Sequence, residues 1–433
     1  MTSIEAKRSI LKGTIRCPSS KSYSHRAIAI SSLAEGHSVL THMLLARDTL
    51  ATIAGCTSLG SDVKYDATEM AVKGCTQLRT PENIINAENS GTTIRLLAAI
   101  SGLVRNGYTV LTGDESLRTR PMQPLLDALR QLGVEAYSAQ ENGTPPLIVK
   151  GGGIKGGTAM VDGGISSQFI SALLISSIYA DSETILKVRG NLVSKPYVSA
   201  TLATMKHFGV SIDHSPDMLE YYVENAKYRG ARFDVPSDFS TAALLLAAGT
   251  LVGEEVTVIG LNFHMPQGDS RIVDILKKMG SSLKVDREHG HVTVNGVEWL
   301  EGGHFDLGDT PDLLPVVSIL ALKARNPVTI TGVAHTRLKE TDRISNIATE
   351  LSKLGATIKE FHDGLIITPP SLIRNALLEA HNDHRLFMAF AIASMMTQKS
   401  IIAGAQSVDV SYPNFISDMK NLGGLISPAP DRE

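Results

Sequence analysis

A sixfold internal repeat with a period of about 72 residues constrains the fold of this chain most strongly. In each repeat, a helix-like segment ends in a bulky apolar residue followed by glycine, and β-type sequence comes next. Glycine just past a helix end is typical of a left-handed cap, so each pair predicts where a helix stops. The pairs are Leu59-Gly60, Leu132-Gly133, Phe208-Gly209, Met279-Gly280, Leu354-Gly355 and Leu422-Gly423.

Two further markers keep the same period. The first is a small or polar start followed by an Ala/Leu/Ile run that is apolar nearly all round, which predicts a buried helix. Each repeat therefore reads as strand, buried helix, strand, amphipathic helix and further strands, although an α/β chain with irregular repeats is the alternative. The second marker is a glycine after a β-rich run, at Gly113, Gly190, Gly260, Gly332 and Gly404, with His42 at the matching place in the first repeat.

The length of the chain predicts two domains. Its 433 residues exceed the ~250–300 residues that a single core normally spans. Three repeats per domain give two similar α/β domains, each of three βαβαββ units with buried parallel helices and outer sheets. We place one domain at residues 18–228 and a discontinuous domain at residues 1–17 plus 229–433, with the active site in the cleft between them.

Composition excludes several classes of protein. Lys and Arg number 41 and Asp and Glu 44, a net charge of −3 that does not suit a general nucleic-acid binder. No apolar run approaches the ~18 residues of a membrane span, and Met1–Lys12 lacks the features of a secretory signal. Cys17, Cys56 and Cys75 form no CxxC pair, so neither a disulfide framework nor a zinc site is predicted. We expect a reduced, soluble, cytoplasmic monomer.

Charged and hydroxyl side chains cluster where the predicted buried helices begin. Backbone N–H groups and the helix dipole favour anions there. Helix capping or solvated charge would explain each segment equally well if it were taken alone. In repeats one to three the candidate residues are Lys21, Ser22, Arg26, Asn89, Gly91, Arg95, Arg118, Arg120, Ser166, Ser167, Gln168, Ser194 and Tyr197.

The fifth and sixth repeats carry the densest charge. Asp312 stands at a helix start, and residues 337–343 (RLKETDR) hold five ionisable side chains, with Lys339 and Arg343 expected on one helical face. Residues 381–385 (HNDHR) precede another buried helix. Their two histidines have no third ligand at metalloenzyme spacing, so we expect no metal, and the His384-Arg385 pair fits an anion site better.

Together these groups predict a site for a small, multiply anionic ligand. Cations come from both halves of the chain and would converge between the two domains. The carboxylates Asp312 and Glu340 among them indicate proton transfer rather than binding alone. The chain has no P-loop lysine motif and no GxGxxG after a strand, so ATP and NAD are not indicated.

The motifs PSSKSYSHRA, NSGTTIR, LRTRPMQPLLDAL, SSQFISALL, SKPY, PDLLPV, LKETDRI and NDHR, in this order, resemble the 5-enolpyruvylshikimate-3-phosphate synthase family over residues 10–425. The resemblance implies an inside-out α/β barrel fold in two domains. It also implies transfer of the enolpyruvyl group of phosphoenolpyruvate to the 5-hydroxyl of shikimate 3-phosphate, with release of phosphate, in the shikimate pathway to chorismate and aromatic amino acids. No cofactor takes part.

The resemblance also implies roles for single residues. Asp312 would be the base, Glu340 the acid at the methylene carbon, and Lys21 a further catalytic group. Shikimate 3-phosphate would meet Lys21, Ser22, Arg26, Ser166, Ser167, Gln168, Ser194, Tyr197, Asp312 and Lys339. Phosphoenolpyruvate would meet Lys21, Asn89, Gly91, Arg120, Gln168, Arg343, His384 and Arg385.

Two departures from the family pattern leave contacts unassigned. His335 stands where many relatives have asparagine, and Val408–Pro413 lacks the lysine that some relatives carry before the Tyr-Pro pair. The glycine turn reads NSGTT at residues 89–93, where other members of the family have NAGTA. By this resemblance, the difference stands at a position that bears on tolerance to glyphosate.

Three alternatives remain. The sister family that transfers enolpyruvyl to a UDP-sugar typically has cysteine where this chain has Glu115, and it lacks the KETDR and NDHR pattern. A protein like RNA 3′-phosphate cyclase would need a nucleotide site and a nucleophilic histidine, which the sequence does not offer. A non-catalytic repeat protein would not need two carboxylates among cations.

Overall fold

The computed structural model describes residues 2–66 and 68–430. Its strands are β1 Ser3–Ala6, β2 Leu11–Arg16, β3 His37–Thr41, β4 Asp62–Tyr65, β5 Glu69–Lys73, β6 Ile85–Asn86, β7 Tyr108–Thr112, β8 Ala136–Ser138, β9 Leu147–Lys150, β10 Gly157–Asp162, β11 Thr184–Arg189, β12 Asp213–His214, β13 Glu220–Val223, β14 Arg232–Asp234, β15 Gly253–Ile259, β16 Ser282–Asp286, β17 His291–Asn295, β18 Gly303–Asp306, β19 Val328–Thr331, β20 Thr357–Phe361, β21 Gly364–Thr368, β22 Leu377–Glu379, β23 Ser400–Ala403 and β24 Ile426–Pro428. Its helices are α1 Lys21–Leu33, α2 Arg47–Ser58, α3 Gly91–Ser101, α4 Gln123–Gln131, α5 Ser167–Ser177, α6 Lys195–His207, α7 Phe239–Val252, α8 Ile272–Lys278, α9 Leu314–Leu320, α10 Arg343–Lys353, α11 His384–Ser394 and α12 Phe415–Asn421.

The helices follow the predicted sixfold repeat. The apolar runs form α1, α3, α5, α7, α9 and α11, which are almost wholly buried, and the amphipathic segments form the six helices between them. The glycines that end the amphipathic helices are left-handed, for example Gly60 with φ 120° and Gly209 with φ 89°. Even His42, the non-glycine member of the second marker, has a φ of 53°. The two-domain α/β fold class is confirmed.

Within the described residues, six four-stranded sheets share one strand pattern. In each, the first two strands are parallel and the others pair antiparallel. The strand orders are β14-β3-β5-β4, β6-β7-β9-β8, β10-β11-β13-β12, β2-β15-β17-β16, β18-β19-β21-β20 and β22-β23-β1-β24.

The chain divides into two compact units, which we call the insertion unit, Ser19–Pro236, and the terminal unit, Met1–Pro18 with Ser237–Glu433. The boundary lies after Pro236, later than the predicted 228/229. The reason is that β14, residues 232–234, pairs in parallel with β3 and so completes a sheet of the insertion unit. Tyr228 is likewise buried and donates its hydroxyl to the carbonyl of Ile175.

Each unit has its own helical core. In the terminal unit α7, α9 and α11 pack on one another, and in the insertion unit α3 packs on both α1 and α5. Burying a Leu, Ile or Phe side chain contributes roughly 1.5–3 kcal/mol, so these helices are fixed by many apolar contacts. The polar first turns at their N-termini are therefore held in place. Among residues 2–66 and 68–430, no helix is long and apolar enough to cross a membrane.

Candidate active site

In the insertion unit, α1 begins at Lys21 and places that side chain beside Asp48. Lys21 Nζ lies 3.1 Å from Asp48 Oδ2, and both side chains are largely buried, at 14% and 6% exposed. The helix can start here because Ser20 accepts a hydrogen bond from the backbone N–H of Tyr23. Asp48 was not among the residues predicted from the sequence, although a carboxylate in the first turn of α2 is a local signal for it.

Arg26, one turn further along α1, is engaged with other helices. Its Nε donates to Thr201 Oγ1 at 2.7 Å, and one NH2 hydrogen goes to the carbonyl oxygen of Tyr197 at 2.9 Å. Burial lowers the pKa of Arg26 to about 10. The guanidinium thus fastens α1 to the first turn of α6, which carries the predicted substrate residues Ser194 and Tyr197.

The turn that begins α3 brings Arg120 to Asn89. Arg120 NH2 donates to Asn89 Oδ1 at 2.8 Å, and Asn89 Nδ2 donates to Asp114 at 2.7 Å. Glycine at position 91 leaves room for both arginines, because a Cβ there would lie 2.9 Å from Arg95 NH1 and 3.2 Å from Arg120 NH1. Two guanidinium groups therefore crowd the start of one helix, as an anion site would need.

Arg95 and Gln168 connect α3 to α5. Arg95 NH1 donates to Gln168 Oε1 at 2.8 Å, and Gln168 Nε2 donates to Thr92 Oγ1 at 3.1 Å. The Arg95 guanidinium carbon also lies 5.2 Å from the centre of the Phe169 ring. Arg95 was one of the candidate residues, but no substrate contact was predicted for it.

The hydroxyl groups predicted for the insertion unit also stand at helix starts. Ser166 caps α5 by accepting from the N–H of Gln168 at 3.3 Å, and Ser167 is the first residue of that helix. Ser194 precedes α6 in a left-handed conformation, φ 57°, which is strained for a residue with a side chain. Its backbone carbonyl accepts from the N–H of Tyr197 at 3.1 Å.

In the terminal unit, Arg343 gathers three carboxylates. Its Nε lies 2.7 Å from Asp383, its NH1 2.8 Å from Asp312 and its NH2 3.0 Å from Glu340. The guanidinium is 1% exposed. Burial lowers the pKa of Arg343, but the three carboxylates outweigh burial and raise it well above its ordinary value.

Asp312 is shared between two arginines, because Arg385 NH2 lies 3.0 Å from its second oxygen. The predicted residues of the fifth and sixth repeats, Asp312, Glu340, Arg343 and Arg385, therefore form one cluster. Asp383 joins it as the N-cap of α11, accepting from the N–H of Arg385. Asp383 lies in the HNDHR segment, residues 381–385, but was not among the predicted site residues.

One prediction for this cluster is wrong. Lys339 and Arg343 do not share a helical face, because Lys339 has φ −86° and ψ −146° and α10 begins only at Arg343, capped by Asp342. Asp342 accepts the N–H of Ser345 and ends any helix before it. The charged segment is therefore the end of a 3₁₀ turn, Ala334–Leu338, followed by a bend that leads into α10.

Two further titratable groups border the cluster. Burial, and then the charge of Lys339, lowers the pKa of His335 to about 3, although Asp312 acts in the opposite direction. Burial, and then the charge of Asp312, raises the pKa of Asp269 to about 7. Asp269 accepts a short hydrogen bond from Ser240 in the first turn of α7. Within residues 2–66 and 68–430, no group of His, Cys, Asp and Glu could hold a metal ion.

The model of one protein family matches nearly the whole chain, residues 6–419, and describes EPSP synthase (3-phosphoshikimate 1-carboxyvinyltransferase). The chain belongs to the EPSP synthase family. It is 44% identical over 424 residues to the 3-phosphoshikimate 1-carboxyvinyltransferase of Nitrosopumilus maritimus, covering 98% of this chain and 99% of that one. The enzyme of the same name from Methanocaldococcus jannaschii is 42% identical over 426 residues, with 98% of each chain covered.

Solved structures agree with this EPSP synthase assignment. The EPSP synthase of Acinetobacter baumannii has a TM-score of 0.83 at 26% identity, covering 99% of this chain and 100% of that one. The enolpyruvyl transferase NikO from Streptomyces tendae has a TM-score of 0.78 at 17% identity, over 99% and 100% of the two chains, which bears on the fold alone.

The two departures from the EPSP synthase pattern have defined places. His335 lies in a 3₁₀ turn, Ala334–Leu338, directly before Lys339 and is buried. In the C-terminal segment, Tyr412 is buried and donates its hydroxyl to Asp418 at 2.7 Å. Tyr412 therefore holds the segment to α12.

Proposed function

We propose that this chain performs the reaction of its family and that two groups of residues serve it. One group stands at the helix starts of the insertion unit, and the other is the cluster of Asp312, Glu340, Arg343 and Arg385 in the terminal unit. The enolpyruvyl group of phosphoenolpyruvate is transferred to the 5-hydroxyl of shikimate 3-phosphate, and inorganic phosphate is released. The main support for the catalytic roles of single residues is the cluster in the terminal unit. There, the carboxylates Asp312 and Glu340 both lie within 3.0 Å of one buried guanidinium, that of Arg343.

The chemistry assigns the two carboxyl groups opposite roles. A protonated Glu340 donates its proton to the methylene carbon of phosphoenolpyruvate, which makes the neighbouring carbon electrophilic. Asp312 accepts the proton of the 5-hydroxyl as the 5-oxygen bonds to that carbon. The contacts of Asp312 with Arg343 and Arg385 fix the direction of its oxygens, so the base is held in one orientation.

The tetrahedral adduct then expels phosphate. The new methyl group returns a proton to Glu340, the carbon–carbon double bond forms again, and the bond to the phosphate oxygen breaks. The proton held by Asp312 leaves with inorganic phosphate. Lys21 and the arginines stabilise the charge that develops on that group, because fixed cations in a desolvated site need no reorganisation.

Substrate binding divides among the helix starts. Shikimate 3-phosphate would be held by the first turns of α1, α5 and α6 with Asp312 and Lys339. Phosphoenolpyruvate would be held by the α3 turn with Arg120, and by Arg343, His384 and Arg385. Lys21 and Gln168 would meet both substrates. Ordering the two anions together can lower the barrier by about 7–11 kcal/mol.

We also propose that the enzyme acts as a monomer in the cytoplasm. The thiols of Cys17, Cys56 and Cys75 are free, and two of them are buried, which fits a reducing compartment. Sedimentation of the purified chain would decide the oligomeric state.

The test of function is phosphate release from phosphoenolpyruvate, measured with and without shikimate 3-phosphate in the presence of a chelator. We expect release that requires both substrates and survives chelation. A folded protein that releases no phosphate would contradict the proposal, and a UDP-sugar acceptor would then be tried in the same assay. The matched protein control is Glu340→Gln, which should be folded and nearly inactive.

A further inference from the structure

The insertion unit contains a chain of buried polar side chains that no step of the mechanism uses. It runs from His25 on α1 through Thr52 on α2 and Thr93 on α3 to Ser90, the N-cap of α3. His25 Nδ1 lies 2.7 Å from Thr52 Oγ1, and Thr52 Oγ1 lies 2.6 Å from Thr93 Oγ1. Thr93 Oγ1 donates to Ser90 Oγ at 2.7 Å. All four side chains are buried.

This series of hydrogen-bonded side chains also contacts the Lys21–Asp48 ion pair. Lys21 stands one turn before His25 on α1. Asp48 holds Lys21 with its carboxylate at 3.1 Å, and its backbone carbonyl oxygen lies 3.2 Å from Thr93 Oγ1. Polar contacts therefore link α1 to α2, α2 to α3, and α3 back to the ion pair. Buried hydrogen bonds of this kind select one arrangement of packed elements, because every alternative leaves a polar group unpaired.

The second ring nitrogen of His25 determines which group donates in the hydrogen bond to Thr52. Nε2 is buried and has no hydrogen-bond partner among the described residues. A proton on Nε2 would leave a buried donor unsatisfied, so the proton belongs on Nδ1. Burial lowers the pKa of His25 well below its usual value, and the charges of Lys21 and Arg26 act in the same direction. A neutral His25 thus donates to Thr52.

We propose that His25 is a positioning residue that acts through Thr52 and Thr93 to fix Lys21 relative to the turn that begins α3. The proposal rests on the proposed function, in which Lys21 and the Asn89–Gly91 turn both hold phosphoenolpyruvate. Groups proposed for shikimate 3-phosphate alone are fastened elsewhere, since Arg26 bonds to Thr201 and to Tyr197. Lys21 would also meet shikimate 3-phosphate, but it is one of ten residues proposed for that substrate. Loss of these hydrogen bonds should therefore weaken phosphoenolpyruvate binding more strongly than shikimate 3-phosphate binding.

Two variants of His25 separate positioning from packing. Asparagine places its amide nitrogen near the position of Nδ1 and can still donate to Thr52, whereas glutamine reaches the position of Nε2. We expect His25→Gln to raise the KM for phosphoenolpyruvate about tenfold, the equivalent of one hydrogen bond, with the KM for shikimate 3-phosphate within about twofold. His25→Asn should restore most of the affinity.

The matched control is Ser101→Ala. Ser101 is a buried hydroxyl on α3 that donates only within its own helix, to the carbonyl of Leu97 at 2.7 Å. We expect both KM values to stay unchanged in this variant. Equal increases in both KM values for His25→Gln and His25→Asn alike would reduce His25 to a packing residue and overturn the proposal. If His25→Gln does not fold, Thr52→Val, which keeps the shape of the side chain, tests the same selective loss.

A measurement that does not depend on turnover tests the hydrogen bond itself. The ¹⁵N shifts of the His25 ring in the wild-type protein should show a neutral ring with the proton on Nδ1 from pH 5 to pH 9. A ring that titrates in this range, or that carries its proton on Nε2, would overturn the proposed chain. Absence of wild-type phosphate release would instead contradict the proposed function, and the ring spectrum would still decide the hydrogen-bond chain.

Discussion

At Arg343 a single guanidinium satisfies three carboxylates in a space that water hardly reaches. Planar geometry makes this possible, because the fork directs separate N–H groups at Asp383, Asp312 and Glu340. Lysine has the same charge but donates from one point. Residues that look interchangeable by charge are therefore not interchangeable at this position.

Arg343→Lys is expected to lower kcat/KM for phosphoenolpyruvate at least tenfold and to lower the thermal unfolding temperature. Removing a partner from a buried ion cluster typically costs about 3–5 kcal/mol, and lysine recovers only part of that. Steady-state kinetics and a thermal melt measure the two effects. Arg325→Lys, at an arginine that is 62% exposed, is the control and should change neither. Unchanged kinetics in the Arg343 variant would remove it from the binding site.

Glu340→Gln should lower kcat by roughly 10²–10⁴, the range for one general acid or base. The amide keeps the size of the side chain and can still meet Arg343, so KM for both substrates should change little. Phosphate release under saturating substrates is the measurement, with exposed Glu288→Gln as the control. Near-normal turnover would exclude Glu340 as the proton donor.

Asp269 gives a prediction about pH and stability. Its carboxyl pKa, raised from 3.8 to about 7, means that the folded state binds the proton more tightly than the unfolded state does. Wild-type stability should therefore fall relative to Asp269→Asn as pH rises from about 4 to about 7, and the difference should then level off. Thermal melts across this range measure it, with Asp274→Asn on the exposed side of α8 as the control variant. A pH-independent difference would contradict the raised pKa.

At the scale of single elements, the helix starts were predictable and their contacts were not. Periodicity and capping residues place a hydroxyl or a charge at the start of each buried helix, because those signals are local in the sequence. The links from Lys21 to Asp48 and from Arg95 to Gln168 join different helices, so only the packing of the helices reveals them. The prediction that Lys339 and Arg343 share a helical face was wrong for the opposite reason. A local signal, the N-cap Asp342, starts α10 at Arg343 and leaves Lys339 outside the helix.

Gly91→Ala tests one helix start. The added methyl group would meet the ends of the flexible Arg95 and Arg120 side chains, which can shift, so α3 should still form. Their displacement should raise the KM for phosphoenolpyruvate several-fold and leave the KM for shikimate 3-phosphate near its wild-type value. Kinetics with each substrate varied in turn measure both constants. An equal rise in the two would place phosphoenolpyruvate away from this turn.

At the scale of the whole molecule, the repeat predicted six modules in two domains, and only the boundary was misplaced. The misplacement has a physical cause, since β14 is three residues long and its partner β3 lies about 190 residues earlier. No local signal reports a pairing over that distance. The same holds for β1, which lies between β23 and β24.

The division into units predicts how fragments behave. Residues 19–236 contain all strands of three complete sheets, so this fragment should fold alone with a cooperative thermal transition. Residues 237–433 lack β1 and β2 and should remain poorly folded until a peptide of residues 1–18 is added. Circular dichroism of each fragment is the measurement. Cooperative folding of 237–433 without the peptide would contradict the predicted dependence on β1 and β2.

The position of β1 also matters during synthesis. This strand is synthesised long before its two neighbours, because β23 and β24 follow it by roughly 400 residues. At about 5–20 residues per second, synthesis of the intervening residues leaves β1 unpaired for roughly 20–80 seconds. Throughout that interval its backbone groups are open to pairing with other chains. The insertion unit can fold during this interval, whereas the terminal unit is completed only after β23 and β24 have been synthesised.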